Sequence, residues 1–333
     1  MDSSTTVALL KENGYNVVGV FMKFWKEPSR RNENKCCSVE AKRDAQAVAI
    51  KLRIPFFVID VKKEFKKRVV DYLIREYKKG NTPNPCIECN RWIKFRFLFN
   101  ELNKLKADYV VTGHYARIIK NEKLKIAKDK TKDQSYFLWT LNQKQLAKIL
   151  FPLGDYTKEQ VRGLAKKFKL QIHEKRDSQE ICFVNTTIQD FLKKNLSPEA
   201  LAKDGPVLTT NGRKVGEHEG LIFYTIGQRK GIKIGGIGPF YVVKKDFRNN
   251  ALIVSNSEKD LLQKEMMVKN VNWILGKPFS GKCKVKIRSM AKPVPAIIKG
   301  NKVIFDKPQR AITSGQSAVF YKGDEVLGGG IIC

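Results

Sequence analysis

Three cysteines are the residues best suited to do chemistry. Cys86 and Cys89 close the stretch Asn81-Thr82-Pro83-Asn84-Pro85-Cys86-Ile87-Glu88-Cys89-Asn90, and Cys182 ends the polar segment Arg176-Asp177-Ser178-Gln179-Glu180-Ile181-Cys182. Pro83 and Pro85 cannot continue a helix, and each biases its predecessor toward extended backbone. The loop is therefore stiff, and it delivers two thiols to a helix start. Amides at a helix N-terminus favour thiolate over thiol, and the thiolate is the reactive form. A Cys-x-x-Cys so placed is a redox or metal-ligand arrangement. Half of a structural zinc site competes with that reading, but such a site needs four ligands and the chain has no second Cys-x-x-Cys. For Cys182 alone, a buried, inert cysteine is the competing reading.

Those thiols need elements to position them. Val7, Ala8, Leu9 and Leu10 predict an apolar helix that Gly14 ends, with Asp2-Ser3-Ser4-Thr5-Thr6 as its cap. Val17 to Met22 and Phe56 to Val61 are continuous apolar runs, expected as parallel strands buried on both faces. Ser38 to Leu52 reads as a helix between them. Lys62 to Lys79 reads as an amphipathic helix with Phe65, Val69, Leu73 and Tyr77 on one side. A further helix is expected from about Asn90 to Leu105. Tyr109 to Thr112 is a third strand with Gly113-His114 at its carboxyl end, where open α/β sheets bind ligands. Gly113 would let a ligand approach closely. A lone histidine is as readily structural as catalytic.

Lys132-Asp133-Gln134-Ser135 opens an aromatic helical segment, and Thr157 to Lys169 carries a capping threonine and an apolar face. Residues 186–204 read as a small helical piece. From Gly205 the chain turns Gly-rich and strand-like, with Thr225-Ile226-Gly227-Gln228-Arg229-Lys230-Gly231 as a basic loop. Ala251 to Ser255 is a strand, and Val271 onward suggests a small β-barrel of short strands. Cys283 to Arg288 alternates with period two, as a half-buried strand should.

The 333 residues suggest two or three domains. The net charge of +31 favours a polyanionic partner such as nucleic acid, although a lysine-rich genome composition would also raise it. No apolar run reaches the roughly 18 residues of a membrane helix, and no signal peptide leads the chain. Seven cysteines without a secretory signal point to a reducing cytoplasm.

The ordered motifs Gly19-Val20-Phe21-Met22-Lys23, Thr82-Pro83-Asn84-Pro85 with Cys89-Asn90, Thr112-Gly113-His114-Tyr115 and Lys132-Asp133-Gln134-Ser135-Tyr136-Phe137-Leu138 resemble those of bacterial tRNA-uridine 2-sulfurtransferases. Ile181-Cys182-Phe183, Gly216-Glu217-His218, Gly227 to Gly231, Gly315 to Tyr321 and Leu327 to Ile332 extend the resemblance over the whole chain. The resemblance implies an α/β fold: a parallel-sheet, PP-loop nucleotide-binding and catalytic domain over 1–185, a central tRNA-binding domain over 186–258 and a C-terminal β-barrel over 259–333. It implies ATP with Mg2+ as cofactor, and tRNA and a persulfide sulfur donor as partners. The family's nucleophile falls on Cys89 and its persulfide-carrying cysteine on Cys182. Nucleotide contacts fall on Asp2, Ser3, Met22 and Gly113. Contacts to tRNA fall on Asn84, Pro85, Cys86, His114, Lys132, Asp133, Gln134, Arg288, Ser289 and Gln316. Many relatives carry aspartate where this chain has Cys86.

Of the family's phosphate loop, Ser-Gly-Gly-x-Asp-Ser-Ser, the sequence retains Asp2-Ser3-Ser4. The expectation from an N-terminus truncated in this way is weak ATP binding and poor thiolation. The implied reaction adenylates the C2 oxygen of the wobble uracil and delivers sulfur from a persulfide on Cys182. Three alternatives stand beside it: an iron–sulfur cluster on Cys86, Cys89 and Cys182 that carries the sulfide, a tRNA-binding homologue impaired in catalysis, and an ATP-dependent ligase.

Overall fold

The computed structural model describes residues 1–27, 38–171, 181–197, 204–232, 234 and 239–333. Residues Arg176 to Glu180, in the polar segment before Cys182, lie outside the described residues.

Helix α1 (Asp2–Glu12) buries Ala8, Leu9 and Leu10, and Gly14 follows it at φ +81°. The start of α1 departs from the side-chain cap expected at Asp2 to Thr6. The helix already begins at Asp2, and Met1 stands at the N-cap, where its side chain makes no capping hydrogen bond. Thr5 and Thr6 donate back to the carbonyls of Met1 and Asp2, while the Asp2 carboxylate is drawn to Lys158.

β1 (Gly19–Lys23), α2 (Val39–Lys51) and β2 (Phe56–Asp60) form a parallel crossover unit, Gly19 opposite Phe56 and Lys23 opposite Asp60. Ser38 caps α2 by accepting from the Ala41 amide at 3.0 Å. The expectation of strands buried on both faces fails here. Phe57 and Val58 are 46% and 38% exposed, because among the described residues β1 and β2 pair only with each other.

α3 (Lys62–Phe65), a π-helical stretch (Lys66–Val70) and α4 (Asp71–Lys78) run as one helix. Its apolar side is the expected one: Phe65, Val69, Leu73 and Tyr77 are all buried. Each of these large side chains contributes about 1.5–3 kcal/mol by leaving water.

α5 (Pro85–Glu88), a second π-helical stretch (Cys89–Phe95) and α6 (Arg96–Lys104) form another continuous helix. β3 (Val110–Val111) follows, then a hairpin of β4 (Ala116–Ile119) and β5 (Lys123–Ile126). A 3-10 turn (Ser135–Leu138), α7 (Gln143–Leu146), β6 (Ile149–Leu150) and α8 (Lys158–Lys167) complete the first region. β3 pairs with β6 in parallel, and Thr157 and Gln160 form a reciprocal capping box on α8.

α9 (Ile188–Asn195) leads to a four-stranded sheet of β7 (Gly205–Thr209), β8 (Lys214–His218), β9 (Tyr241–Asp246) and β10 (Ala251–Ser255), in spatial order β8-β7-β10-β9. The last region is a closed six-stranded barrel. Its strands are β11 (Leu262–Trp273), β12 (Gly281–Lys286), β13 (Val294–Lys299), β14 (Lys302–Arg310), β15 (Ser317–Lys322) and β16 (Glu325–Ile332). Pairing of β11 with both β14 and β16 closes the ring, which leaves no open edge within it. Cys283, Val285 and Ile287 point into its core, as their alternation predicted. Among the described residues, no helix is long and apolar enough to cross a membrane.

Candidate active site

The cysteine loop is built as its sequence dictates. Asn84 caps α5 by accepting from the Cys86 amide at 3.1 Å, and Pro85 occupies the first helical turn, where its missing N–H costs nothing. Cys86 is exposed. Cys89, one turn later, is 8% exposed and faces the apolar cluster of Phe65, Val69, Ile93 and Phe183. Cys182 is half-buried and packs against this same cluster. Its neighbour Phe183 is fixed edge-on between Phe65 and Phe191, with ring centroids 5.5 and 5.6 Å apart. The two cysteines expected to react therefore border one apolar body, although they lie far apart in sequence. Asn90 donates to the Phe137 carbonyl at 3.2 Å, and its buried Oδ1 has no hydrogen-bond partner among the described residues.

The root of the loop is held by the barrel and the central sheet. The Thr82 amide donates to the Ser314 carbonyl at 2.8 Å, and Gln316 Nε2 donates to the Thr82 carbonyl at 2.6 Å. Gly315, at φ +91°, lies so close that a Cβ there would meet Thr82 N at 2.9 Å. Arg288 donates to the Ala311 carbonyl at 2.8 Å and to Thr313 Oγ1 at 3.0 Å, which braces the segment carrying Ser314 to Gln316. Burial lowers the ordinary value of the Arg288 guanidinium. Ser289 is half-buried in the turn after it. Lys245 reaches from β9 to donate to the carbonyls of Gly80, just before the loop, and of Tyr224. Burial without a carboxylate lowers the Lys245 ammonium to about 8.

A second group of residues lines a cavity of about 990 Å³ between α1, β1, α6 and the end of β3. Ser3, Met22, Gly113, His114 and Gln134 all lie on its wall. Gly113 is needed for a protein contact: a Cβ there would meet Ser3 N at 2.7 Å and Asp2 C at 2.9 Å. His114 is 8% exposed, is stacked on Phe95 at 5.9 Å and is bonded through Nδ1 to Thr112 Oγ1 at 2.8 Å. Burial, helped by the charge of Lys94, holds it well below the ordinary histidine range, so its ring is neutral at pH 7. Asp2 gives both carboxylate oxygens to Lys158 Nζ at 2.9 Å and accepts from Tyr115 Oη at 3.2 Å. Asp133 accepts from the Ala127 and Ser135 amides and the Ser135 hydroxyl, and Gln134 Oε1 accepts from the Tyr115 amide at 3.0 Å. Lys132 is half-buried beside them.

Lys158 and Lys245 had no sequence signal. Each is one lysine among many, and its partner lies 156 or 165 residues away. The cavity suits an adenine nucleotide in size and in its mix of apolar and polar walls. The first-turn amides of α1, which the N-cap side chain does not cap, are the donors a phosphate would need. Among the described residues, no three His, Cys, Asp or Glu side chains gather closely enough to hold a metal ion.

Comparison with known proteins covers the whole chain. Residues 1–186 match the tRNA methyl transferase HUP domain family, residues 189–256 the tRNA methyl transferase PRC-barrel domain family, and residues 263–332 the aminomethyltransferase beta-barrel domain family. The tRNA-specific 2-thiouridylase MnmA of Clostridioides difficile is 44% identical over 348 aligned residues, which take in 100% of this chain and 95% of that protein. The protein of the same name from Symbiobacterium thermophilum is 43% identical, with 100% and 89% covered. MnmA 1 of Caldanaerobacter subterraneus is 45% identical, with 100% and 95% covered.

Proposed function

The chain belongs to the tRNA-specific 2-thiouridylase family, and from that premise we propose that it replaces the C2 oxygen of the wobble uridine of tRNA by sulfur. It is a sulfurtransferase acting on tRNA. In this reading residues 1–185 bind nucleotide and catalyse, 186–258 help bind tRNA, and 259–333 brace the cysteine loop, all in the cytoplasm. The supporting observation is that Cys89 and Cys182 border one apolar cluster at the end of a rigidly held loop.

ATP, when bound with Mg2+ in the cavity beside α1, supplies the adenylyl group that makes the uracil C2 oxygen a leaving group. The α1 amides and Ser3 hold its phosphates, with Met22 and Gly113 at the adenine side. Asn84, Pro85 and Cys86 meet the target base. His114, Lys132, Asp133, Gln134, Arg288, Ser289 and Gln316 shape the tRNA contact, several of them through the hydrogen bonds that fix their neighbours. A sulfur donor loads Cys182 as a persulfide. Its terminal sulfur attacks C2, and the activated oxygen departs. The Cys89 thiolate then attacks the Cys182 sulfur, which breaks the sulfur–sulfur bond to the product. The electron pair goes to the C2 sulfur, a Cys89–Cys182 disulfide forms, and a dithiol reductant resets it.

Among the described residues no three His, Cys, Asp or Glu side chains gather closely enough to hold a metal ion, which favours this route over an iron–sulfur cluster on Cys86, Cys89 and Cys182. The test is thiolation of an unmodified tRNA transcript with ATP and a persulfide donor, read on sulfur-retardation gels. Wild-type protein should shift the tRNA. Cys182→Ser should give no shift while binding tRNA within about twofold, since phosphate contacts dominate affinity. Full thiolation by Cys182→Ser would reject the assignment.

A further inference from the structure

Four arginines surround two aromatic rings beside the cysteine loop. The guanidinium carbons of Arg68, Arg91 and Arg96 lie 4.8, 4.8 and 5.1 Å from the centroid of Trp92. That of Arg75 lies 5.7 Å from Tyr72. The Trp92 indole is itself fixed, since its N–H donates to the buried Glu88 carboxylate at 2.7 Å. Burial raises that carboxyl above the usual range, and the nearby Arg91 charge opposes the rise.

The charges on this face are unbalanced. Arg68 is paired with Glu64 at 2.8 Å, and Arg75 has Glu76 at 4.0 Å. Among the described residues, Arg91 and Arg96 are exposed and make no ion pair. Gathering three guanidinium groups against one ring brings like charges together. Contact with the ring offsets part of that repulsion. An anion between the outer two would offset more, and a guanidinium fork fits a phosphate through two parallel hydrogen bonds.

We propose that Arg91 and Arg96, held in place by Trp92, bind backbone phosphates of the tRNA strand that leads to the base at the cysteine loop. Trp92 follows Cys89 by three residues on one continuous helix, less than one turn of its π-helical stretch. A strand whose base reaches the loop would have these two exposed arginines on the same helix within its reach. With three guanidinium groups against it, the indole acts as a holder for the arginines and not as a platform for a base. A phosphodiester strand fits better than an acidic protein surface, because both unpaired arginines sit on the helix that presents the reactive cysteine. The inference rests on the reading of that loop as the thiolation site.

The experiment titrates an unmodified tRNA transcript into the full chain over a range of salt concentrations. It compares wild type, the double variant Arg91→Ala/Arg96→Ala and the double variant Arg91→Lys/Arg96→Lys. The alanine pair should lose about tenfold or more in affinity. Its slope of log K against log salt should be shallower by about 1.4 to 1.8, since each lost phosphate contact removes about 0.7 to 0.9 of a counterion. KM for tRNA should rise in step. The lysine pair should keep the slope and lose less affinity. Unchanged affinity and slope in the alanine pair, with a wild type that binds and thiolates tRNA, would overturn this inference alone. A wild type that does not bind tRNA would overturn the functional reading as well. Unchanged tRNA affinity with loss of thiolation only when a protein sulfur donor is used would assign the face to that donor, and would also overturn the RNA assignment.

Discussion

Gly113, at the end of β3, lies against the first turn of α1 so closely that a Cβ would come within 2.7 Å of the Ser3 amide nitrogen. The contact is backbone to backbone and cannot be relieved by turning a side chain. Gly113→Ala should therefore displace the start of α1 and destabilise the protein by about 1–3 kcal/mol. Nucleotide affinity should fall with it, because the same amides face the cavity. Denaturant unfolding and nucleotide titration check this. Wild-type stability in the variant would show that the helix start is free to move.

Gln316 ties the barrel to the cysteine loop through one hydrogen bond to the Thr82 carbonyl. Gln316→Leu removes the donor and leaves that carbonyl with a poorer environment, a cost of about 1–3 kcal/mol. At saturating tRNA the thiolation rate should fall about tenfold, with only a small drop in Tm. An unchanged rate would mean that the loop holds its position without the barrel.

Cys86 stands in the first turn of its helix and is exposed. An acidic side chain there interacts favourably with the helix dipole, by about 0.3–1 kcal/mol. Cys86→Asp should keep thiolation within about threefold of wild type and slightly raise Tm. Loss of activity would require a chemical role for this thiol.

Lys245 links pH to stability. Its folded-state value is lowered from 10.5 to about 8. Between those two values the unfolded chain holds the proton more fully than the native one, so unfolding free energy rises with pH across that window. Below pH 8 both states are protonated and the burial penalty is felt in full. Compared with Lys245→Met, wild type should gain stability from pH 8 to 10.5, by no more than about 3 kcal/mol. Parallel pH profiles for the two proteins would contradict the burial of a charged Lys245.

What the sequence made legible was local and periodic. The buried line Phe65, Val69, Leu73 and Tyr77 needs only neighbouring residues to define it, whereas the helix expected from about Asn90 already begins at Pro85, because Asn84 caps it and a proline fits its first turn. The π-helical stretches at Lys66–Val70 and Cys89–Phe95 were not legible, because no residue in them departs from an ordinary helical pattern. Phe57 and Val58 were misjudged because an apolar run says nothing about what covers it. Asp2 was read as a cap, yet its partner Lys158 arrives from a helix far along the chain. Arg288 and Gln316 were expected at tRNA. Their hydrogen bonds to Ala311, Thr313 and Thr82 depend on a barrel loop meeting a helix start, which no local pattern encodes.

The most direct measurement is a single turnover followed by mass spectrometry of the protein. Enzyme loaded with persulfide on Cys182 is mixed with tRNA and ATP, quenched with a thiol-blocking agent and digested without reductant. The expected result is a Cys89–Cys182 disulfide peptide in one-to-one proportion with the 2-thiouridine formed, and neither product in Cys89→Ser. Formation of 2-thiouridine with both cysteines recovered as blocked thiols would contradict the assignment.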